Sequence, residues 1–293
     1  MNDFCNFTPT LKPSIIMKLK SRIITLGVIG LFLSCATNPF TGKQTMAFVS
    51  NDQLFPTSFQ QYNQVLSESN VEKGTARAEM IKRVGERIAV AAERWLNANG
   101  HQGYLTDYQW EYNLIDDATV NAWCMPGGKI VFYTGILPIA QSETGVAAIM
   151  GHEVAHALAN HGQQRMSAAY IQQGLAVAGN IALAKDEQTL GIFNQSYGVV
   201  SNVAGMLPFS RSHESEADRI GLYLMAIAGY NPDEAAELWK RMSAHSGGKS
   251  TPEILSTHPS NESRIAELNT LAPTAKAEAS KFGIKSFRPI GKF

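Results

Sequence analysis

The sequence predicts an α+β protein, mostly helical, with a small antiparallel sheet beside a helix that carries the pattern H-E-x-x-H. Three observations lead to this class. Glu143 to Asn160 is a good helix former and contains His152, Glu153 and His156. Thr75 to Asn99 places Ile81, Val84, Ile88, Ala91 and Trp95 at three- and four-residue steps, with Lys82, Arg83, Glu86, Arg87 and Glu93 on the other faces. That is the period of an amphipathic helix. Between the two, Trp110 to Ile115 and Lys129 to Thr134 are rich in β-branched and aromatic residues, and Pro126-Gly127-Gly128 marks a turn, as strands require.

Taken in order, the chain of 293 residues opens on a targeting segment. Lys18, Lys20 and Arg22 form a basic region ahead of the apolar run Ile23 to Leu33, which is too short to span a bilayer but suits a signal peptide. Residues 1–34 are read as that signal, with Met17 as a second candidate start. The run ends at Ser34-Cys35 and resembles a bacterial lipoprotein signal, in which Cys35 is lipidated; ordinary signal-peptidase cleavage is the alternative. Ala36, where Asp would favour inner-membrane retention, points to an outer-membrane lipoprotein facing the periplasm, anchored by lipid and not spanning. Residues 35–50, rich in turn formers, read as a tether. Residues 51–275 form the main domain, opening with a helix over Asp52 to Leu66, and residues 276–293 form a short, basic, peripheral tail.

The strands Trp110 to Ile115 and Lys129 to Thr134 read as an antiparallel pair leading into the H-E-x-x-H helix, with Asn121 to Gly128 between them ending in the turn. A strand there could receive a peptide as a further strand. Cys124 reads as a half-buried small residue. Gln163 to Ser210 is the least readable stretch: apolar, yet interrupted by Gln172, Gln173, Asn180, Asn194 and Asn202. Those polar residues argue against a spanning helix and for helices packed over the core or resting near lipid.

Composition excludes other classes. The formal net charge is zero, which gives no footprint for nucleic acid. Three cysteines, Cys5, Cys35 and Cys124, make neither a disulfide framework nor a cysteine zinc site.

The chemistry gathers at two segments. Residues four apart on a helix share a face, so His152 and His156 can reach one metal ion, with Glu153 beside the open coordination position. A catalytic zinc needs a third protein ligand. Phe209 to Gly221 reads as a second helix on which Glu214 and Asp218 face the same way, whereas Glu216 points elsewhere. A carboxylate there is the natural third ligand, and Asp218 could hold a ligand imidazole through its other ring nitrogen. An acidic helix N-terminus stabilised by the macrodipole is the plainer alternative. His161, five residues after His156, does not match the spacing of a third histidine ligand and reads as a surface residue.

The chain resembles the zinc metallopeptidases of the HtpX, CAAX-prenyl-endopeptidase and mitochondrial Oma class (metallopeptidase family forty-eight), especially its stand-alone bacterial envelope members. The matching pieces are Asn38-Pro39-Phe40-Thr41-Gly42-Lys43-Gln44, Asn121 to Gly135, and H-E-V-A-H-A-L-A-N-H. Further on come S-R-x-x-E-x-E-A-D-x-x-G and Thr257-His258-Pro259-Ser260 with Arg264-Ile265. The resemblance implies a gluzincin-type zincin fold, one zinc ion held by His152, His156 and Glu214, and Asp218 behind the ligands. It implies a regulatory approach of His258 to the zinc from a lid segment; a turn histidine before Pro259 is the alternative. Two family features are missing: no repeat array follows Leu268, and there are no membrane-spanning helices like those of HtpX.

The expected activity is endoproteolysis. Zinc polarises the scissile carbonyl and acidifies water, Glu153 acts as general base, and His258 and Arg264 are candidates for steadying the oxyanion. The resemblance implies unfolded or misassembled envelope polypeptides as substrates, in quality control. A metal-stabilised periplasmic chaperone or assembly factor with latent proteolysis is the competing expectation. Two imidazoles and a carboxylate suit zinc without excluding manganese or cobalt.

Overall fold

The computed structural model describes residues 35–46, 49–183, 207–245, 254–255, 258 and 262–293. The signal-peptide segment and much of the stretch around His258 lie outside the described residues.

The chain enters as a hairpin, β1 (Cys35–Thr37) against β2 (Gln44–Met46), antiparallel. The segment expected to be a slack tether is thus ordered. The Asn38 side chain accepts from the Phe40 N–H at 2.8 Å, and Phe40 stacks on Trp95 with ring centroids 4.4 Å apart. Helix α1 (Asn51–Ser67) turns Phe55, Ser58 and Tyr62 inward. After a short strand, β3 (Val71–Glu72), comes α2 (Ala76–Ala98), N-capped by Thr75, whose hydroxyl accepts from the Ala78 N–H. The whole predicted apolar stripe of α2 is buried.

The sheet continues with β4 (Glu111–Ile115), β5 (Ala122–Met125) and β6 (Lys129–Tyr133), in the order β3-β4-β6-β5. The two strands expected to pair antiparallel, β4 and β6, run parallel instead; the antiparallel partner of β6 is β5. The sheet as a whole is mixed, because β6 returns from the turn into the gap between β4 and β5 and so runs parallel to β4. Successive residues of β6 face opposite sides. Ile130 and Phe132 join the main core with Leu114, whereas Val131 and Ile115 pack under Tyr62 of α1. The turn needs its glycines: Gly127 and Gly128 have φ of 86° and 89°, and a Cβ on Gly128 would stand 2.7 Å from the Trp110 ring.

A short helix, α3 (Leu137–Ala140), leads into α4 (Glu143–Leu158), which carries H-E-x-x-H. The Ser142 hydroxyl caps α4 by accepting from the Gly145 N–H. Every residue of α4 from Thr144 to Leu158 is buried, so α4 is a core helix with no solvent face. Asn160, with φ of 56°, reverses the chain into α5 (His161–Leu183). The outer part of α5 leaves Tyr170, Leu175, Val177 and Ile181 exposed. Helices α6 (Leu207–Ile227), α7 (Asp233–His245) and α8 (Glu262–Lys281) complete the fold. Among the described residues, no helix is long and apolar enough to cross a membrane.

Helices α4 and α6 cross at Gly151 and Gly221, where a Cβ on Gly151 would lie 2.8 Å from the Gly221 carbonyl oxygen. This close approach sets the two candidate metal-binding segments face to face. The C-terminal tail, residues 276–293, is mostly exposed, as a peripheral tail would be, but is pinned at several points. Helix α8 buries Ala272, Ala275 and Ala279, Ile284 and Phe287 pack on the core, and Lys292 bridges to Ser142 at the start of α4. An alanine face is smooth enough to pack closely but carries too little apolar area to stand out in the sequence.

Candidate metal centre

Helix α4 presents His152, Glu153 and His156, and α6 presents Glu214, Glu216 and Asp218 across the glycine crossing. His152 Nε2 and His156 Nε2 are 3.1 Å apart. Glu214 stands 3.3 Å from each of these nitrogens. His258 Nδ1 lies 3.2 Å from His152 Nε2 and 3.0 Å from both Glu214 oxygens. Single atoms of His152, His156, Glu214 and His258 all fall within 4.8 Å of one another, and all four residues are buried. Donors about 2.0–2.1 Å from a tetrahedral zinc stand roughly 3.3 Å from each other. The residues present therefore fit a metal ion.

Glu153 supports the same fit. It is buried, and its Oε1 has no hydrogen-bond partner; the nearest cationic candidate, His258 Nε2, is 3.6 Å away. A buried carboxylate oxygen left without a partner is costly and is expected where a substrate or water is to meet it.

The electrostatics show a pocket built for positive charge. Burial opposes ionisation of Glu214, yet His152, His156 and His258 outweigh it and hold its carboxyl far below the ordinary range. Burial also opposes a charged His152, but Asp218 and Glu214 outweigh it and raise that imidazole to about 9. His156, where burial dominates, is driven well below its ordinary value.

Behind His152, Asp218 Oδ1 stands 2.9 Å from Nδ1, as expected. Arg264, expected to face an oxyanion, is instead locked in place. It donates to Asp218 through Nε at 2.7 Å and Nη2 at 2.8 Å, and its Nη1 lies 3.2 Å from Glu214. Its guanidinium sits 3.5 Å over the Trp239 ring. A guanidinium paired with two carboxylates and stacked on one face braces those carboxylates.

His161 is not a surface residue: its relative exposure is 0% side chain. Helix α5 starts immediately after the left-handed Asn160, so the chain folds back and sets His161 Nδ1 2.9 Å from His156 Nδ1. The other ring nitrogen, Nε2, lies 2.9 Å from Glu216 Oε2, and His213 stacks on the ring at 4.1 Å. Burial lowers the pKa of His161 more than Glu216 raises it. For Glu216, burial opposes the charge, but His161 and Thr41 hold its carboxyl down to about 2. Sequence reasoning missed this group, although His161 closes H-E-V-A-H-A-L-A-N-H and Glu216 lies within S-R-x-x-E-x-E-A-D; a further signal was Asn160, a residue type that tolerates a left-handed reversal. Nothing in the sequence pointed to Trp239.

Comparison with known proteins agrees with this geometry. The chain is 40% identical over 176 residues to a mitochondrial metalloendopeptidase OMA1 of Schizosaccharomyces pombe, covering 59% of this chain and 50% of that one. It is 26% identical over 259 residues to the human mitochondrial metalloendopeptidase OMA1, covering 85% and 48%. It is 27% identical over 194 residues to the beta-barrel assembly-enhancing protease of Escherichia coli, covering 63% and 39%. The chain thus spans about half the length of these relatives or less. Residues 51–272, running from the start of α1 into α8 and enclosing every candidate donor, match Peptidase family M48, and the chain belongs to that family.

Proposed function

We propose that this protein is a zinc-dependent endopeptidase that cleaves misfolded or unassembled polypeptides of the cell envelope. The observation that carries the reading is the unpartnered, buried Glu153 carboxylate beside four converging donors. A purely structural metal site has no use for it. Zinc held by His152, His156 and Glu214 supplies Lewis acidity toward a water and a scissile carbonyl. Glu153 accepts the water proton at Oε1 and delivers it to the leaving amine nitrogen. Strand β5 is an edge of the sheet and packs against α4, a position that suits an extended substrate added as a further strand.

His258 occupies the fourth donor position, which makes the arrangement a closed form. Access of water and substrate would require His258 to leave this position. This geometry favours a second reading, a metal-stabilised chaperone whose proteolysis is latent. An envelope location is supported by the lipoprotein-like signal ending at Cys35 and by the name of the E. coli relative; attachment to the outer membrane through lipid, facing the periplasm, is part of the proposal.

The test is cleavage of an unfolded protein such as casein by wild type, Glu153→Gln, His258→Ala and a chelated sample with zinc restored. Wild-type or His258→Ala cleavage that needs zinc, and drops about 10²- to 10⁴-fold in Glu153→Gln, supports the peptidase. Silence of His258→Ala, with zinc bound and the fold intact, favours the chaperone.

A further inference from the structure

The motif Asn38 to Gln44 has no part in that chemistry, yet the fold brings it within three hydrogen bonds of the metal centre. Thr41 Oγ1 donates to Glu216 Oε1 at 2.8 Å, and Lys43 Nζ lies 3.5 Å from the same oxygen. The other oxygen, Oε2, faces His161 Nε2, and His161 Nδ1 faces His156 Nδ1. An ionised carboxylate can only accept, so His161 carries its proton on Nε2. On the metal reading His156 keeps its Nε2 lone pair for the ion, so its proton sits on Nδ1 and is donated to His161 Nδ1, 2.9 Å away. That tautomer leaves the lone pair of His156 Nε2 turned toward Glu214 and His152.

We infer that His161 and Glu216 are positioning residues that fix the tautomer and orientation of His156, and that the turn of the N-terminal hairpin completes the support through Thr41 and Lys43. The inference rests on the metal reading above. The hairpin is itself held in place: the Phe40 ring is stacked on Trp95, and the Gly42 N–H closes the turn on the Asn38 carbonyl at 2.9 Å. Outer partners of ligand histidines set ring orientation and basicity, and their loss typically lowers metal affinity about 10–100-fold.

The test compares zinc affinity by chelator competition, and the visible spectrum after cobalt substitution, in the full-length chain. The variants are His161→Leu, His161→Asn, Glu216→Ala and the surface pair Thr41→Val with Lys43→Met. Asparagine can place an amide oxygen near the position of Nδ1 and accept from His156 without Glu216. His161→Leu should lose roughly 10–100-fold in affinity with an altered cobalt spectrum, and His161→Asn should recover most of both. Glu216→Ala should weaken binding in the native background but not in His161→Asn. The hairpin pair, which cannot disturb the core, should weaken binding a few-fold. Equal affinity in wild type and His161→Leu, or equal losses in His161→Leu and His161→Asn, would reduce the relay to packing and overturn the inference. An inert hairpin pair would remove the hairpin from it. Failure of wild type to bind zinc would sink the metal reading itself, a distinguishable result.

Discussion

The two histidines of α4 are held from behind in different ways. His152 meets a carboxylate directly, with Asp218 2.9 Å from Nδ1. Asp218 is in turn gripped by Arg264, which lies on Trp239, so this support lies wholly within α6, α7 and α8. His156 reaches its carboxylate through an interposed ring, His161, and that carboxylate is bonded to a hairpin turn at the surface. The difference teaches that one helix, α6, supplies both supports from positions two residues apart. One side is short and charge-paired inside the core. The other is long and depends on a segment outside it.

The largest expected effect breaks the short side. Asp218→Ala deprives the buried Arg264 of its bidentate partner and should cost about 3–5 kcal/mol in denaturant unfolding. Glu216→Ala, whose site borders a surface turn, should cost less; equal losses would erase the contrast. Metal removal acts on both sides together. At free zinc one hundred times its Kd, chelation should lower stability by about 2.7 kcal/mol, read as a fall in Tm.

A smaller effect is expected at the crossing that serves both sides. Gly221→Ala would put a Cβ 2.9 Å from the Gly151 carbonyl carbon and the His152 nitrogen. It should cost about 1–3 kcal/mol and weaken zinc binding even though no ligand is changed. The smallest effect is a control remote from both supports. Arg83 pairs with Glu143 at 2.6 Å at the start of α4, but both groups are partly exposed. Arg83→Met should cost only about 0.2–1 kcal/mol, with zinc affinity unchanged. A change in affinity there would mean that the ends of α4, and not its supports, set the site.

Much of the site was legible because its signals are local. His152 and His156, like Glu214 and Asp218, stand one helical turn apart, and a period of 3.6 residues puts each pair on one face. The stripe of α2 and the hydroxyl cap at Thr75 are local signals of the same kind. Where the reading failed, a chain reversal or a contact between residues distant in sequence decides the outcome. His161 looked exposed because its spacing fits no ligand pattern, and only the reversal at Asn160 buries it against His156. The grip of Arg264 on Asp218 was not foreseen, because it forms only where α8 packs beside α6. The tail is mostly exposed as expected, but its pinning was missed because the packing face of α8 is alanine.

By itself, then, the sequence determined helices α1, α2 and α4, most of α6, the strand character of β4 and β6, and which side chains share a helical face, since these follow from backbone periodicity and capping. Only the tertiary structure decided that α4 and α6 meet at Gly151 and Gly221, that β6 lies between β4 and β5, and that a surface hairpin reaches Glu216. Those outcomes depend on how closely backbones approach and where turns send the chain, and a helical or strand period carries no information about either.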